Sequence, residues 1–146
     1  MTEIGKRLAR LPLDPRLGRM VLGGEQEGAL REVLIIASAL GVSDPRERPR
    51  DQQKRADEAQ RRFRDESSDF AGLLRLHHFY QEAQGRLTRN QLHKACRDHF
   101  LNYQRMREWG DIHQQLSRIV RDMGFRPNTD PAGDEAVHRA LLPGFL

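Results

Sequence analysis

The chain of 146 residues has little cysteine, few aromatic side chains and no long apolar run. Its single cysteine, Cys96, excludes an internal disulfide framework, so nothing in the sequence favours an oxidising compartment. The longest apolar stretch, residues 33–40, is far shorter than the roughly 20 residues of a membrane span. No charged-then-apolar leader opens the chain. These absences predict a soluble, cytoplasmic protein without a membrane partner.

The sequence also lacks the common motifs of nucleotide-binding and zinc-hydrolase sites. It contains no G-x-x-x-x-G-K-[ST] loop, no G-x-G-x-x-G turn and no H-E-x-x-H helix. The neighbouring side chains of His77 and His78 would point in different directions from a helix, so this pair cannot act together as a chelate. We therefore predict no catalytic residue and no cofactor within this chain.

The residues that are present predict an all-α fold. Aromatic content is only 6% and β-branched alternation is scarce, whereas apolar positions recur at intervals of three and four. The first helix is expected to begin at Pro15, capped by Asp14, and to end at the Gly23-Gly24 pair. A core helix follows over 27–40, burying a set of apolar residues: Leu30, Val33, Leu34, Ile36 and Ala37.

Prolines and capping residues place the remaining elements. The two prolines within 42–50 predict a turn-rich connection, and a basic helix is expected over 51–64. One of the residues 67–69 should cap a helix that closes at Gly85, and Thr88 should cap a helix through Leu101. A long helix over 106–123 and a short one capped by Asp134 complete a bundle of about six to eight helices.

Positive charge is concentrated between residues 46 and 64. This segment has eight basic and four acidic side chains, a net charge of +4 that equals the formal charge of the whole chain. Such a surface suits a polyanion, and phosphate backbone is the expected partner. The alternative is a solvated helix face whose arginines pair with the local acids Glu47, Asp51, Asp57 and Glu58. The predicted nucleic-acid-binding residues of the segment are Arg46, Arg48, Arg50, Lys54, Arg55, Arg61, Arg62 and Arg64.

Two further places could contact a nucleic acid. Around the Gly85 turn, Arg86, Arg89 and Asn90 form a small polar cluster where a phosphate could meet the amides of a helix start. Trp109, the only tryptophan, could stack on a nucleobase. The stronger interpretation of Trp109 is core packing, because it lies in one apolar stripe of its predicted helix.

His93, Cys96 and His99 follow one another at intervals of three on one predicted helix. Neighbouring members of this set could share a face and offer imidazole or thiolate ligands to a metal. A tetrahedral site needs a fourth ligand, which the pattern does not supply, so we expect no metal here. Cys96 with His99 could also be a nucleophile and its base, although a cysteine at a core position more often packs than reacts.

Four stretches of the sequence together carry a resemblance to a known family. They are GKRLARLPLDPRLGRM (5–20), DPRERP (44–49), FRDESSDF (63–70) and CRDHFLNY (96–103), continued by residues 107–109 and 112–116. In these motifs the chain resembles the helicase-associated region of DEAH-box RNA helicases, most of all the bacterial HrpA type. In such helicases a degenerate winged helix, a helical ratchet bundle and an OB-fold follow two motor domains.

The resemblance implies a domain assignment and a role. Residues 1–24 would be the end of the degenerate winged helix and residues 25–146 the ratchet bundle, which would explain why the chain ends on apolar residues. ATP and Mg would bind in the motor domains of the parent chain, so this fragment alone would not be an enzyme. Its partners would be single-stranded RNA and the motor and OB-fold domains of the same chain, with a monomer as the simplest state.

One position departs from the family pattern, and one alternative role stays open. Many relatives place an arginine directly after the pair that matches Asn102-Tyr103, whereas here Gln104 intervenes before Arg105. This departure means that the resemblance assigns no role at this place, and Arg105 is a predicted nucleic-acid-binding residue. The alternative function is a protein–protein docking domain that makes no direct contact with nucleic acid.

Overall fold

The structure is a computed structural model that describes residues 15–145. It contains seven α-helices between these residues and no strand, apart from one isolated antiparallel bridge between Arg46 and Leu101, and the predicted all-α class is confirmed. The helices are α1 (Pro15–Glu27), α2 (Leu30–Ala39), α3 (Gln53–Gln60), α4 (Asp69–Arg86), α5 (Arg89–Asp98), α6 (Tyr103–Asp122) and α7 (Asp134–Leu141). Turns of 3₁₀-helix cover Arg50–Gln52, Arg61–Phe63 and Leu142–Phe145.

The predicted winged-helix segment is only partly within this range. Residues 1–14, which include the expected cap Asp14, lie outside the described residues, so the assignment of 1–24 to a winged helix and of 25–146 to a ratchet bundle stays a prediction. The chain folds into two compact units. One comprises the described residues up to Ser38 together with those from His113 onwards, and the other is Ala39–Ile112.

In the first unit, α1 packs against α7 and the Leu142–Phe145 turn. Within the described residues α1 covers Pro15–Glu27, so the expected end at Gly23-Gly24 is wrong. Both glycines are buried inside the helix, and a Cβ atom on Gly23 would overlap the carbonyl oxygen of Ala140. The glycine therefore permits close packing of two helices, and the chain turns at Gly28 instead, where φ is +68°.

Helix α2 is shorter than the predicted range of 27–40, but its buried face is as expected. All of the residues predicted to be in the core are buried: Leu30, Val33, Leu34, Ile36 and Ala37. At the other end of this unit, the expected cap of the last helix, Asp134, is not the capping residue. The residue at the N-cap position is Gly133. Asp134 is the first residue of α7, where its negative charge interacts favourably with the positive end of the helix dipole.

In the second unit, two predicted caps are confirmed. The Ser68 hydroxyl accepts a hydrogen bond from the backbone N–H of Ala71 at the start of α4. Thr88 and Gln91 form a reciprocal capping box at the start of α5. Helix α5 ends at Asp98 rather than at the predicted Leu101, because Phe100 takes a left-handed conformation with φ of +54°.

The predicted continuous helix over 51–64 is wrong. A 3₁₀ turn, the eight-residue α3 and a second 3₁₀ turn replace it. The buried residues of this segment are Ala56, Gln60 and Phe63. Trp109, by contrast, lies in the core as the stronger interpretation predicted, with 1% of its surface exposed. No helix among the described residues has both the length and the apolar character needed to cross a bilayer.

Candidate nucleic-acid interface

The loop that carries Arg46 and Arg48 is fixed by backbone hydrogen bonds to the connection between α5 and α6. The N–H of Glu47 donates to the carbonyl of Phe100 at 2.8 Å, and the N–H of Asn102 donates to the carbonyl of Pro45 at 2.7 Å. The left-handed conformation of Phe100 lies at the centre of this pairing. Because alternate residues of extended backbone point to the same side, Arg46 and Arg48 share one face of the loop.

Gln60 joins this loop to α3. Its amide nitrogen Nε2 donates to the carbonyl oxygens of Glu47, at 2.9 Å, and of Phe100, at 3.1 Å. Gln60 is 6% exposed, and its side chain donates to the Glu47 carbonyl and adds a second hydrogen bond to the Phe100 carbonyl, which already accepts from the N–H of Glu47. Sequence reasoning missed Gln60, although its spacing from Ala56 and Phe63 places it on the inward face of the helix.

Three of the predicted phosphate-binding arginines are held by carboxylates. Arg46 donates two hydrogen bonds to Asp44, with Nη2 to Oδ2 at 2.9 Å and Nε to Oδ1 at 3.0 Å. Asp57 accepts from Arg48 at 2.9 Å and from Arg64 at 3.0 Å. The alternative of a face that pairs its own charges is therefore realised for part of the segment.

These contacts lower the pKa of both carboxyl groups. Burial raises the pKa of Asp44, but hydrogen bonds from the Arg46 side chain and backbone outweigh this and leave the pKa below its usual value. The hydrogen bond from Arg48 is the main cause of the lowered pKa of Asp57, with a further contribution from Arg64. Both acids are therefore ionised at neutral pH, and their arginines are held in fixed orientations.

The other basic side chains of the segment are more accessible. Four of them are exposed and form no ion pair with any residue between 15 and 145: Arg50, Lys54, Arg55 and Arg61. Arg62 is exposed as well, but its guanidinium lies over the rings of Phe79, at 4.9 Å, and Phe63, at 5.5 Å. The predicted partners Glu47, Asp51 and Glu58 make no ion pair within the described part of the chain, so positive charge remains in excess.

An open cavity of about 230 Å³ lies where the loop meets α3 and the turn after it. Its lining consists of Arg46, Arg48, Gln60, Phe63 and Arg64. Three arginines and one phenylalanine in the lining combine donors for an oxyanion with an apolar residue. The lining residues form two groups in the sequence, residues 46–48 in the loop and residues 60–64 at the end of α3 and in the turn after it, and the fold brings these two groups together.

The remaining predicted contacts fall into two groups. Arg86, Arg89 and Asn90 are exposed at the end of α4 and the beginning of α5, and none of them forms a hydrogen bond or ion pair with the basic loop within the described residues. Arg105, in contrast, reaches that loop, because its Nη1 donates to the carbonyl of Asp44 at 3.0 Å. Arg105 thus supports the position of the loop.

The side chains of His93, Cys96 and His99 do not converge. The His93 ring lies against Tyr103 at 3.6 Å between ring centroids, while the His99 ring packs against Phe79 at 4.7 Å. Cys96 is buried, and burial raises the pKa of its thiol to about 11. Between residues 15 and 145 no group of three or more potential ligands is arranged to hold a metal ion.

Comparison with known proteins finds similarity to one family and to two curated relatives. Residues 14–74 match the family model described as "Helicase associated domain (HA2), ratchet-like", a range that contains the whole basic segment. The full chain is 46% identical to part of the ATP-dependent RNA helicase HrpA of Escherichia coli (strain K12), and 44% identical to part of the ATP-dependent RNA helicase HrpA homolog of Haemophilus influenzae. The chain matches an HrpA-type helicase-associated region. It spans 11% of the length of these two relatives, and the resemblance predicted from the sequence motifs is confirmed.

Proposed function

We propose that this helicase-associated region is an accessory module of an ATP-dependent RNA helicase and that it guides single-stranded RNA by binding its phosphates. ATP and Mg would be bound by motor domains elsewhere in the parent chain, which would act in the cytoplasm. The observation that carries the proposal is that the exposed, unpaired basic residues lie inside the matched range of 14–74. Their contacts would be independent of base sequence.

The charges of the described residues support this role. The four exposed basic side chains that lack an ion pair can each approach a phosphate without first separating from a carboxylate. Each such contact on a single strand lowers the slope of log affinity against log salt by about 0.7. A weak affinity is expected for the chain alone, because in the parent protein the motor and OB-fold domains would complete the RNA channel.

A salt titration of RNA binding tests the proposal. Binding of the protein to a labelled single-stranded RNA is measured by filter retention at rising potassium chloride concentrations. The test variant changes the four exposed residues to glutamine: Arg50, Lys54, Arg55 and Arg61. Arg62 and Arg64 are left intact, because they contact other side chains and their loss would mix stability with binding.

The matched control removes the same number of charges from exposed positions elsewhere. It changes Arg97, Arg118, Arg121 and Arg126 to glutamine. We expect the test variant to bind more weakly, with a salt slope reduced by about 0.7 for each lost contact, while the control changes much less. Equal losses in the two variants would mean that net charge alone attracts the RNA. If RNA is not retained at any salt concentration, the proposal is wrong.

A second candidate function is docking of another protein domain, and exposed apolar residues favour it. Leu142 and Phe145, both in the last turn of the described chain, are 59% and 52% exposed, and apolar side chains exposed close together are a feature of interaction surfaces. Changing both residues to serine tests this candidate. If it is correct and phosphate binding is not, the variant will associate less with the remaining domains of a parent helicase, and the salt titration will show no RNA binding.

A further inference from the structure

The Gln60 side chain has a free hydrogen-bond acceptor at the cavity. Nε2 donates both hydrogen bonds of the amide group, and both acceptors are carbonyl oxygens. This fixes the orientation of the amide, because in the flipped orientation Oε1 would face two acceptors. Oε1 has no partner among the described residues. Since no fully buried side-chain oxygen or nitrogen of these residues lacks a partner, Oε1 is accessible to solvent. Gln60 is one of the residues that line the cavity, and Oε1 is the atom of its amide group that retains hydrogen-bonding capacity for a ligand.

The arginines around this oxygen keep donors available for a ligand. Arg48 uses Nε and Nη2 to hold Asp57, and Arg64 uses only Nη2. A guanidinium has five N–H donors, so both groups can still donate to a phosphate while the carboxylate orients them. The cavity thus combines donors for an anion with one acceptor, which requires a ligand group that donates.

The size of the cavity limits the ligand. At about 230 Å³ it is smaller than the roughly 300 Å³ at which cavities that enclose a free small molecule begin. It is also open, and its lining includes Phe63 as well as the arginines. These properties fit one unit of a polymer whose other parts remain outside.

We propose that the cavity binds one ribose-phosphate unit of single-stranded RNA. The phosphate accepts hydrogen bonds from Arg48 and Arg64, and the ribose 2′-hydroxyl donates to Oε1 of Gln60. The proposal rests on the proposed function and adds a source of selectivity to it, because deoxyribose has no hydroxyl at this position. The exposed basic residues attract any single strand, whereas Gln60 distinguishes RNA from DNA.

Oligonucleotides that differ only at the 2′ position test this without changing the protein. Fluorescence anisotropy is used to compare one sequence as RNA, as 2′-fluoro RNA and as DNA. The 2′-fluoro strand keeps an RNA-like sugar conformation but has no hydroxyl to donate. The net contribution of one hydrogen bond from the 2′-hydroxyl should make RNA bind about two- to tenfold more tightly than either of the other strands.

A variant locates the effect at Gln60. Gln60→Met retains the length of the side chain and removes the acceptor, and it should bring the ratio of RNA to 2′-fluoro affinity close to one. Gln53→Met changes an exposed glutamine of the same helix and should leave the ratio unchanged. Thermal unfolding followed by circular dichroism checks that the variants fold. If Gln60→Met does not fold, the comparison of the three strands with the wild type still tests the proposal.

The outcomes separate this inference from the proposed function. Equal affinity of the wild type for all three strands, with the expected salt dependence, would overturn the role of Gln60 and leave phosphate binding intact. A preference for RNA that persists in a folded Gln60→Met variant would place the selectivity elsewhere and also overturn it. If none of the strands binds at low salt, both proposals are wrong.

Discussion

Glu32 and Asn128 are joined by a hydrogen bond of 2.9 Å from the asparagine amide to Oε1 of the buried carboxylate, across 96 positions of sequence. Asn128 also accepts a hydrogen bond from the preceding residue of α2, because the backbone N–H of Arg31 donates to its Oδ1 at 2.8 Å. Oε2 of Glu32 also accepts from the Arg31 side chain, at 3.0 Å. One asparagine therefore attaches the loop before α7 to the first turn of α2.

Asn128→Ala is expected to destabilise the protein by about 1–3 kcal/mol, because it removes a donor from a buried carboxylate and an acceptor from a backbone N–H. Urea denaturation measures the change in the free energy of unfolding. Thr129→Ala is the control: Thr129 contributes only its backbone carbonyl, which accepts from Nη1 of Arg31 at 3.0 Å and is unaffected by the substitution. Similar losses in the two variants would contradict the role given to the Asn128 side chain.

Gly23→Ala is expected to destabilise by about 1–3 kcal/mol, because the added methyl group would overlap the carbonyl of Ala140 and force α1 and α7 apart. The control is Gly85→Ala in α4, where a Cβ atom meets nothing within 4 Å. There the better helix propensity of alanine should stabilise by about 0.5–1 kcal/mol. Opposite signs in thermal unfolding support the packing argument, and a neutral Gly23→Ala would refute it.

Local chemistry determines the features that the sequence could predict. The caps at Ser68 and Thr88 depend on side chains within three residues, and the burial of Trp109 follows from helical spacing. The Gly23-Gly24 pair is wrongly predicted as a helix end because its function depends on Ala140, which is distant in sequence. A glycine at a close helix contact and a glycine at a helix end are not distinguishable from neighbouring residues alone.

The candidate site shows the same limit. The concentration of positive charge between residues 46 and 64 is visible in the sequence, but its division into paired and unpaired arginines is not. Asp44 lies outside that segment, and Gln60 reaches the carbonyl of Phe100 across 40 positions. The cavity depends on these long-range contacts. They are not visible in the local sequence, which predicts a continuous basic helix instead.

Arg62→Gln should lower the free energy of unfolding by about 0.5–1 kcal/mol, which is typical of a cation over aromatic rings at an exposed site. The guanidinium lies 4.9 Å from the Phe79 ring centroid, and glutamine cannot replace that interaction. Arg61→Gln removes the same charge from the preceding residue, which has no ion pair or ring contact with a described residue, and should be neutral. If both variants lose the same amount of stability, the effect is due to charge and not to the rings.

Cys96 should be inert in the folded protein and should make stability fall at alkaline pH. Its pKa is raised from 9.0 to about 11 by burial, so alkylation by iodoacetamide at about pH 8 should be slow until denaturant is added.

A raised folded-state pKa of the Cys96 thiol means that its stabilising contribution is complete below the unfolded pKa and is lost as the pH rises through the folded one. Urea denaturation should therefore show the free energy of unfolding declining between these two pKa values more steeply in the wild type than in Cys96→Ala, which has no thiol to titrate. Identical pH slopes, or rapid alkylation without denaturant, would show that the thiol is accessible.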